Sequence, residues 1–142
     1  MIIGHASAED LAGILDLLRQ NRLPVDGLTD HLTTTVVARE DRWIVGSAAL
    51  EMHGEQALLR SVAVSPAFQS RGLGRALTEA VLTMARDRQV RAVYLLTTTA
   101  EQFFPKFGFT IIPRDVVPDL IHTSVEFASA CPSTATVMRL IL

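Results

Sequence analysis

Cysteine is nearly absent: Cys131 is the one thiol in 142 residues. A lone thiol cannot close an internal disulfide, so a reducing compartment is the expectation. A basic excess is missing as well. Thirteen Lys and Arg face fifteen Asp and Glu, a net charge of −2, which argues against nucleic acid as a partner. A local basic cluster remains free to serve an anionic small molecule. No apolar run approaches the roughly 18 residues of a membrane helix. The start, Met1-Ile2-Ile3-Gly4-His5, has no basic region and soon meets Glu9 and Asp10, so no secretory leader is predicted and the expected location is the cytoplasm. His5, His31, His53 and His122 lack ligand spacing, so no metal site is predicted. Repeats, low-complexity tracts and linkers are missing too, and residues 1–142 read as one domain. What is present is an apolar fraction of 49%, enough for a packed core.

Ile2 to His5 reads as a strand. Ser7 offers an N-cap oxygen, with Glu9 and Asp10 in the first turn of the helix that follows. Leu11, Ile14, Leu15 and Leu18 give that helix an apolar stripe, and it is predicted to end near Asn21, ahead of Pro24. Leu23 to Asp30 reads as a loop with a short helix. Thr33–Arg39, Trp43–His53 and Ala57–Val64 read as strands, with turns at Glu40-Asp41 and Gly54-Glu55. A helix starts at Gly72–Gly74, its apolar residues Leu73, Leu77, Val81, Met84 and Ala85 recurring three and four apart. Then come a strand at Arg91–Thr97, a short helix at Ala100–Lys106 and a strand at Phe109–Ile112. An extended piece around His122 to Phe127 and a last strand at Ala135–Leu142 complete the order. A strand meander followed by a βαβ crossover implies an α/β fold with a mixed sheet and helices on both faces.

The stretch Gln69-Ser70-Arg71-Gly72-Leu73-Gly74-Arg75 joins a strand to a helix. The first turn of a helix carries amides without intrahelical partners and the positive end of the dipole, so it suits an anion. Gly72 and Gly74 let the backbone approach a phosphate, while Arg71 and Arg75 add charge at the rim. No Gly-Lys-Ser/Thr follows, and Ala76 and Leu77 stand where a third dinucleotide-fold glycine would fall. Taken alone, the loop also reads as tight packing.

Its setting decides between these. Gln-x-x-Gly-x-Gly after Val62-Ala63-Val64-Ser65-Pro66, with Phe103-Phe104-Pro105-Lys106-Phe107-Gly108-Phe109 downstream, resembles the two signatures of the GNAT superfamily of N-acetyltransferases. The resemblance implies acetyl-CoA as acetyl donor. Its pyrophosphate would sit on the amides of Gln69, Ser70, Arg71, Gly72, Leu73, Gly74 and Arg75. The pantetheine arm would run along Val62, Ala63 and Val64, where this strand and Arg91–Thr97 splay apart. Ala100 and Phe103 would pack on the coenzyme. An amide near Val62 would polarise the acetyl carbonyl.

The implied reaction is direct attack of an amine on the thioester. Glu51 is the candidate base. It is also diagonal to Arg60 across the Gly54-Glu55 turn, where an ion pair is the alternative. The resemblance places a thiolate acid at the position of Phe104, which has no proton to give; water, Ser61 or Thr97-Thr98-Thr99 are the substitutes. Cys131 has no adjacent base in the sequence and reads as an incidental thiol.

Leu58-Leu59-Arg60-Ser61, the run from Leu95 to Phe104, and Pro118, Ile121, Thr123, Glu126-Phe127, Cys131-Pro132 and Met138 look like the arsenic-resistance N-acetyltransferases. The implied acceptor is a small-molecule amine, the α-amine of a glutamate-like compound such as arsinothricin or phosphinothricin. Arg60 and Arg114 are the candidate carboxylate partners, and Thr123 and Glu126 the candidate lining of the mouth. Other amines (of an aminoglycoside, a polyamine or a protein N-terminus) and a non-catalytic acyl-CoA sensor remain open. The apolar Val137–Leu142 end is compatible with a homodimer.

Overall fold

The computed structural model describes residues 1–124, 126–127 and 134–142. The elements in chain order are β1 (Ile2–His5), α1 (Leu11–Gln20), β2 (Thr35–Glu40), β3 (Trp43–His53), β4 (Gln56–Val64), α2 (Leu73–Asp87), β5 (Ala92–Thr97), β6 (Thr110–Ile111), α3 (Asp119–His122) and β7 (Thr136–Ile141). Among the described residues the strands form one sheet in the order β1-β2-β3-β4-β5-β7-β6. The β4–β5 pair is parallel and the other pairs are antiparallel. This is the mixed α/β sheet expected from the meander and crossover.

Period-two alternation decides which face each strand residue serves. Ala48, Leu50 and Leu59 point to the face covered by α2, where they meet Leu77 and Val81. Val37, Ala49 and Ala63 point to the other face and meet Ile14, Leu17 and Leu18 of α1. Leu58 and Tyr94 on that same face pack with Ile121 of α3. Close seating of α2 on β3 depends on Gly46, where a Cβ would lie 2.7 Å from Leu77 Cδ1. Ahead of α1, the Asp10 carboxylate accepts the Ser7 N–H at 2.8 Å and pairs with Arg39 of β2.

Two features of β4 create an opening. Its ladder with β5 runs from Gln56↔Ala92 to Leu58↔Tyr94 and stops there, although β4 continues to Val64 and β5 to Thr97. Against β3, Ala49 faces Arg60 but Ser47 faces Ala63. One extra residue therefore sits in β4, a bulge that bends the strand away from β5. Ser61 takes the strain, with φ of 58°, and its carbonyl accepts the Ser47 hydroxyl at 2.7 Å.

Several local expectations need correction. Ala100–Lys106 is not a continuous helix: only Phe104–Phe107 forms a 3₁₀ turn. Pro105 has no N–H to bond back, so an α-helix cannot run through it. The expected extended piece around His122 to Phe127 does not start as one: His122 ends α3 and the Thr123 and Ser124 amides bond back to Leu120 and Ile121, while residue 125 lies outside the described residues. Strand β2 starts at Thr35 rather than Thr33, since the Thr34 and Thr35 hydroxyls both donate to the His31 carbonyl and extend the preceding 3₁₀ segment. The first hairpin turn falls at Asp41-Arg42, between paired Glu40 and Trp43. Val137, Met138 and Leu140 of β7 are buried within the chain itself. Cys131 lies outside the described residues. Among those residues, no helix is long and apolar enough to cross a membrane.

Candidate active site

The split between β4 and β5 is a cleft of about 830 Å³. Leu59 to Val64 form one wall, Leu95 to Ala100 the other, and Asn21 to Pro24 after α1 close one end. At its opposite end, Val64, Gln69, Gly74 and Phe103 are shared with a second cavity of about 530 Å³. Ser70, Gly72, Leu73, Arg75 and Lys106 line that second cavity.

The helix start is shaped by its backbone. Ser70 and Gly72 both have positive φ, 64° and 80°, on either side of Arg71. Alternating conformations of this kind turn successive amides toward one concavity, a nest for anions. Nothing lies within 4 Å of a Cβ built on Gly72, so its backbone angle is what requires glycine there. The Gln69 side chain donates to the Val64 carbonyl at 3.0 Å and ties the loop to the end of β4. Arg75 is exposed and donates to Glu79 at 3.1 Å. Arg71 lies over the Phe68 ring at 5.3 Å and is outside both cavity linings.

At the other end the site is made of buried side chains. Arg60 donates from Nη1 to Glu51 Oε2 at 2.8 Å, from Nε to Ser61 Oγ at 3.0 Å, and from Nη2 to the Pro24 carbonyl at 3.4 Å. The register places Glu51 opposite Leu58 and Ala49 opposite Arg60, the diagonal that permits the pair. Glu51 Oε1 also lies 3.2 Å from His53 Nε2 and 3.7 Å from His31 Nε2. Burial pushes the Glu51 carboxyl up, but hydrogen bonds from Arg60, Ser124 and His53 and the nearby His31 outweigh it and hold the group below its usual range. Burial pushes the His31 ring down. Glu126 lines the cleft, 5% exposed, with Oε1 3.9 Å from Arg60 Nε. Its carboxyl is raised to about 7, first by burial, with Arg60 opposing and Glu51 adding.

Of the residues singled out from the sequence, Arg60, Val62, Ala63, Val64, Gln69, Gly74, Ala100, Phe103 and Glu126 line the cleft. Glu51 lies behind Arg60 and is not part of the lining. Arg114 and Thr123 are outside it too. The Arg114 guanidinium lies over the Phe127 ring at 5.1 Å and donates to the Ala135 carbonyl, and the Thr123 hydroxyl donates to the Leu120 carbonyl. Phe104 lines the cleft and packs edge-on against Phe103 and Phe109, while Tyr94 is buried against the α3 side. The Thr97 hydroxyl accepts the Ala100 amide at 2.9 Å. Two cations escaped the sequence reading. Lys106 was legible only as part of the aromatic segment. Arg22 follows a helix end with φ of 57°, and no motif marks it.

A mixed sheet split by a bulged strand, beside a helix start built for an anion, defines the GNAT acetyltransferase fold. The chain belongs to the acetyltransferase (GNAT) domain family, whose model matches residues 31–111. It is 29% identical over 126 residues to the amino-acid acetyltransferase of Salmonella typhi, covering 82% of this chain but 28% of that protein. It is 34% identical over 96 residues to the amino-acid acetyltransferase of Mycobacterium tuberculosis, covering 60% of this chain and 55% of that one. The chain thus spans about a quarter to a half of these relatives. Among solved structures, Rv2747 from M. tuberculosis in complex with CoA and NLQ matches with a TM-score of 0.84 at 25% identity, over 100% of this chain and 99% of that one. The N-acetylglutamate synthase of Neisseria gonorrhoeae, complexed with coenzyme A and N-acetyl-glutamate, matches in fold with a TM-score of 0.84 at 21% identity, over 99% of this chain and 35% of that one.

Proposed function

We propose that residues 1–142 act as one acetyl-CoA-dependent N-acetyltransferase domain, whose acceptor is the α-amine of a glutamate-like amino acid. The observation that carries this reading is the adjacency of the two cavities, which share Val64, Gln69, Gly74 and Phe103 and together reach from the start of α2 through the β4–β5 split to the Arg60 and Glu126 side chains. In this reading the coenzyme pyrophosphate lies on the amides of residues 69–75, with Arg71 and Lys106 supplying charge nearby. The pantetheine arm replaces β5 as the partner of Val62–Val64. At the bulge, an amide near Val62 faces the acetyl oxygen and stabilises the charge that develops there, a contribution of about 3 kcal/mol for one such donor.

The acceptor enters from the Asn21–Pro24 end. Among the described residues lining the cleft there, the cations are Arg22 and Arg60. Glu51 already balances Arg60, so we assign the acceptor's free carboxylate to Arg22, with Arg60 as the fixed positive floor. The named relatives act on amino acids, which supports this class. The finer acceptors, arsinothricin and phosphinothricin, rest on the sequence resemblance of the segments around Arg60, Thr97 and Glu126. The thiolate leaves without a tyrosine, and we assign the role of steadying it to the Ser61 hydroxyl, which lines the cleft, accepts from Arg60 and keeps its own proton to donate.

Coenzyme thiol release with a panel of amines tests the reading. Release is expected with glutamate and its phosphinic and arsinic analogues, and not with polyamines or aminoglycosides. Coenzyme binding without release on any amine would favour an acyl-CoA sensor, the reading that Phe104 supports.

A further inference from the structure

We propose that Glu126 is the base that deprotonates the acceptor amine, and that Glu51 acts by positioning Arg60. The inference rests on the acetyl-transfer reading above. Of the two buried carboxylates beside Arg60, Glu126 alone lines the cleft. The oxygens of Glu51 are both engaged, Oε2 by Arg60 and Oε1 by His53. Glu126 is held more loosely. Arg60 Nε is 3.9 Å from its Oε1 and donates instead to Ser61. A cleft-facing carboxylate that no guanidinium clamps can take a proton, while one clamped by a guanidinium cannot do so without giving up the clamp.

The charges facing Glu126 support the same assignment. Arg60 of β4 stabilises its anion and Glu51 of β3 opposes it, with His31 and His53 behind Glu51 and Arg22 on the cleft wall across the loop. Burial outweighs both, and the group titrates at about 7. A base of that strength is matched to neutral solution, being free to accept yet strong enough to pull. Glu51, held below the ordinary carboxylate range, is a weaker base by the same argument.

The acceptor enters as an ammonium and passes one proton to Glu126. Its freed lone pair forms the C–N bond at the thioester carbonyl carbon. The C–S bond breaks with its electron pair on sulfur. The thiolate takes the second nitrogen proton, leaving the amide with one, and Glu126 returns its proton to solvent.

The test is the pH dependence of kcat at saturating acetyl-CoA, for wild type, Glu126→Gln and Glu126→Asp. For wild type, kcat is expected to fall below pH about 7 as one proton binds. In Glu126→Gln that limb should vanish and kcat should drop by about 100-fold or more, while the KM for acetyl-CoA stays unchanged. Glu126→Asp should recover part of the rate and keep the limb. Wild-type turnover with Glu126→Gln within threefold of it, or an unchanged acidic limb, overturns the base assignment alone. Wild-type protein that releases no thiol with any amine overturns the acetyl-transfer reading and the base role together.

Discussion

The two ends of the cleft are built from different materials. The end proposed for the coenzyme is backbone: amides at the start of α2, shaped by positive φ at Ser70 and Gly72, with exposed side chains such as Arg75 around them. The end proposed for the acceptor is side chain: Glu51, Arg60 and Glu126 come from β3, β4 and the segment after α3, and all are at least 95% buried. Backbone donors need only a conformation, so substitutions there should alter binding and spare the fold. Buried charges depend on one another, so substitutions there should alter both.

The largest effect is expected at Arg60. Arg60→Met leaves Glu51 buried without its cation, at a cost of about 3–5 kcal/mol. Chemical denaturation should record the loss, and Glu51→Leu added to Arg60→Met should recover much of it. A destabilisation below about 1 kcal/mol would erase the contrast between the two ends.

Next comes the pH dependence of stability at Glu126. Its folded carboxyl titrates at about 7 against an ordinary 4.5, so the folded state holds the proton more tightly than the unfolded one. The cost of burying this group is therefore absent below pH about 4.5, grows between 4.5 and 7, and is complete above 7. Glu126→Gln should match wild type in stability at the acid end and exceed it at pH 8, by up to about 3 kcal/mol. Equal stability of the two proteins at both ends of that window would mean that Glu126 is not a strained anion.

Gly74 gives a smaller effect of the opposite kind. A Cβ there would meet Phe103 at 3.6 Å and Val64 at 3.7 Å, ordinary contacts, yet it would project where both cavities meet. Gly74→Ala is expected to weaken coenzyme binding about tenfold, or about 1.4 kcal/mol, with little change in the denaturation midpoint. Isothermal titration with CoA measures the first. A coupled loss of stability and binding would show that the glycine serves packing. The smallest effect belongs to Arg75→Ala. Its exposed pair with Glu79 is worth at most about 0.5 kcal/mol to stability, and its contribution to coenzyme affinity should fade as salt is raised.

The same division explains what the sequence revealed. The loop of residues 69–75 proposed for the pyrophosphate is contiguous, and its glycines and preceding apolar strand carry the conformation, so it can be read residue by residue. The splay of β4 from β5 follows from that resemblance and is present. The Glu51–Arg60 diagonal was legible because a two-residue turn at Gly54-Glu55 fixes the register. Of the rest of the proposed acceptor end, the resemblance points to Glu126 as a lining residue, while nothing in the sequence marks Arg22. Arg22 reaches the cleft because the chain reverses after α1, and Glu126 because α3 turns where an extended run was expected. Long-range folding brings these residues to Arg60; no periodicity or spacing records it. Arg114, a candidate for its guanidinium and its place after Ile111-Ile112-Pro113, stacks on Phe127 outside the cleft.

On the proposed function, this cleft moves an acetyl group from acetyl-CoA to the α-nitrogen of an amino acid. Mass spectrometry and NMR of a mixture of the protein, acetyl-CoA and glutamate, with its phosphinic and arsinic analogues in parallel, test it most directly. The account predicts an α-N-acetylated product appearing in step with free coenzyme thiol, and its loss in Glu126→Gln. Tight coenzyme binding with no N-acetylated amino acid from any member of the panel would contradict it.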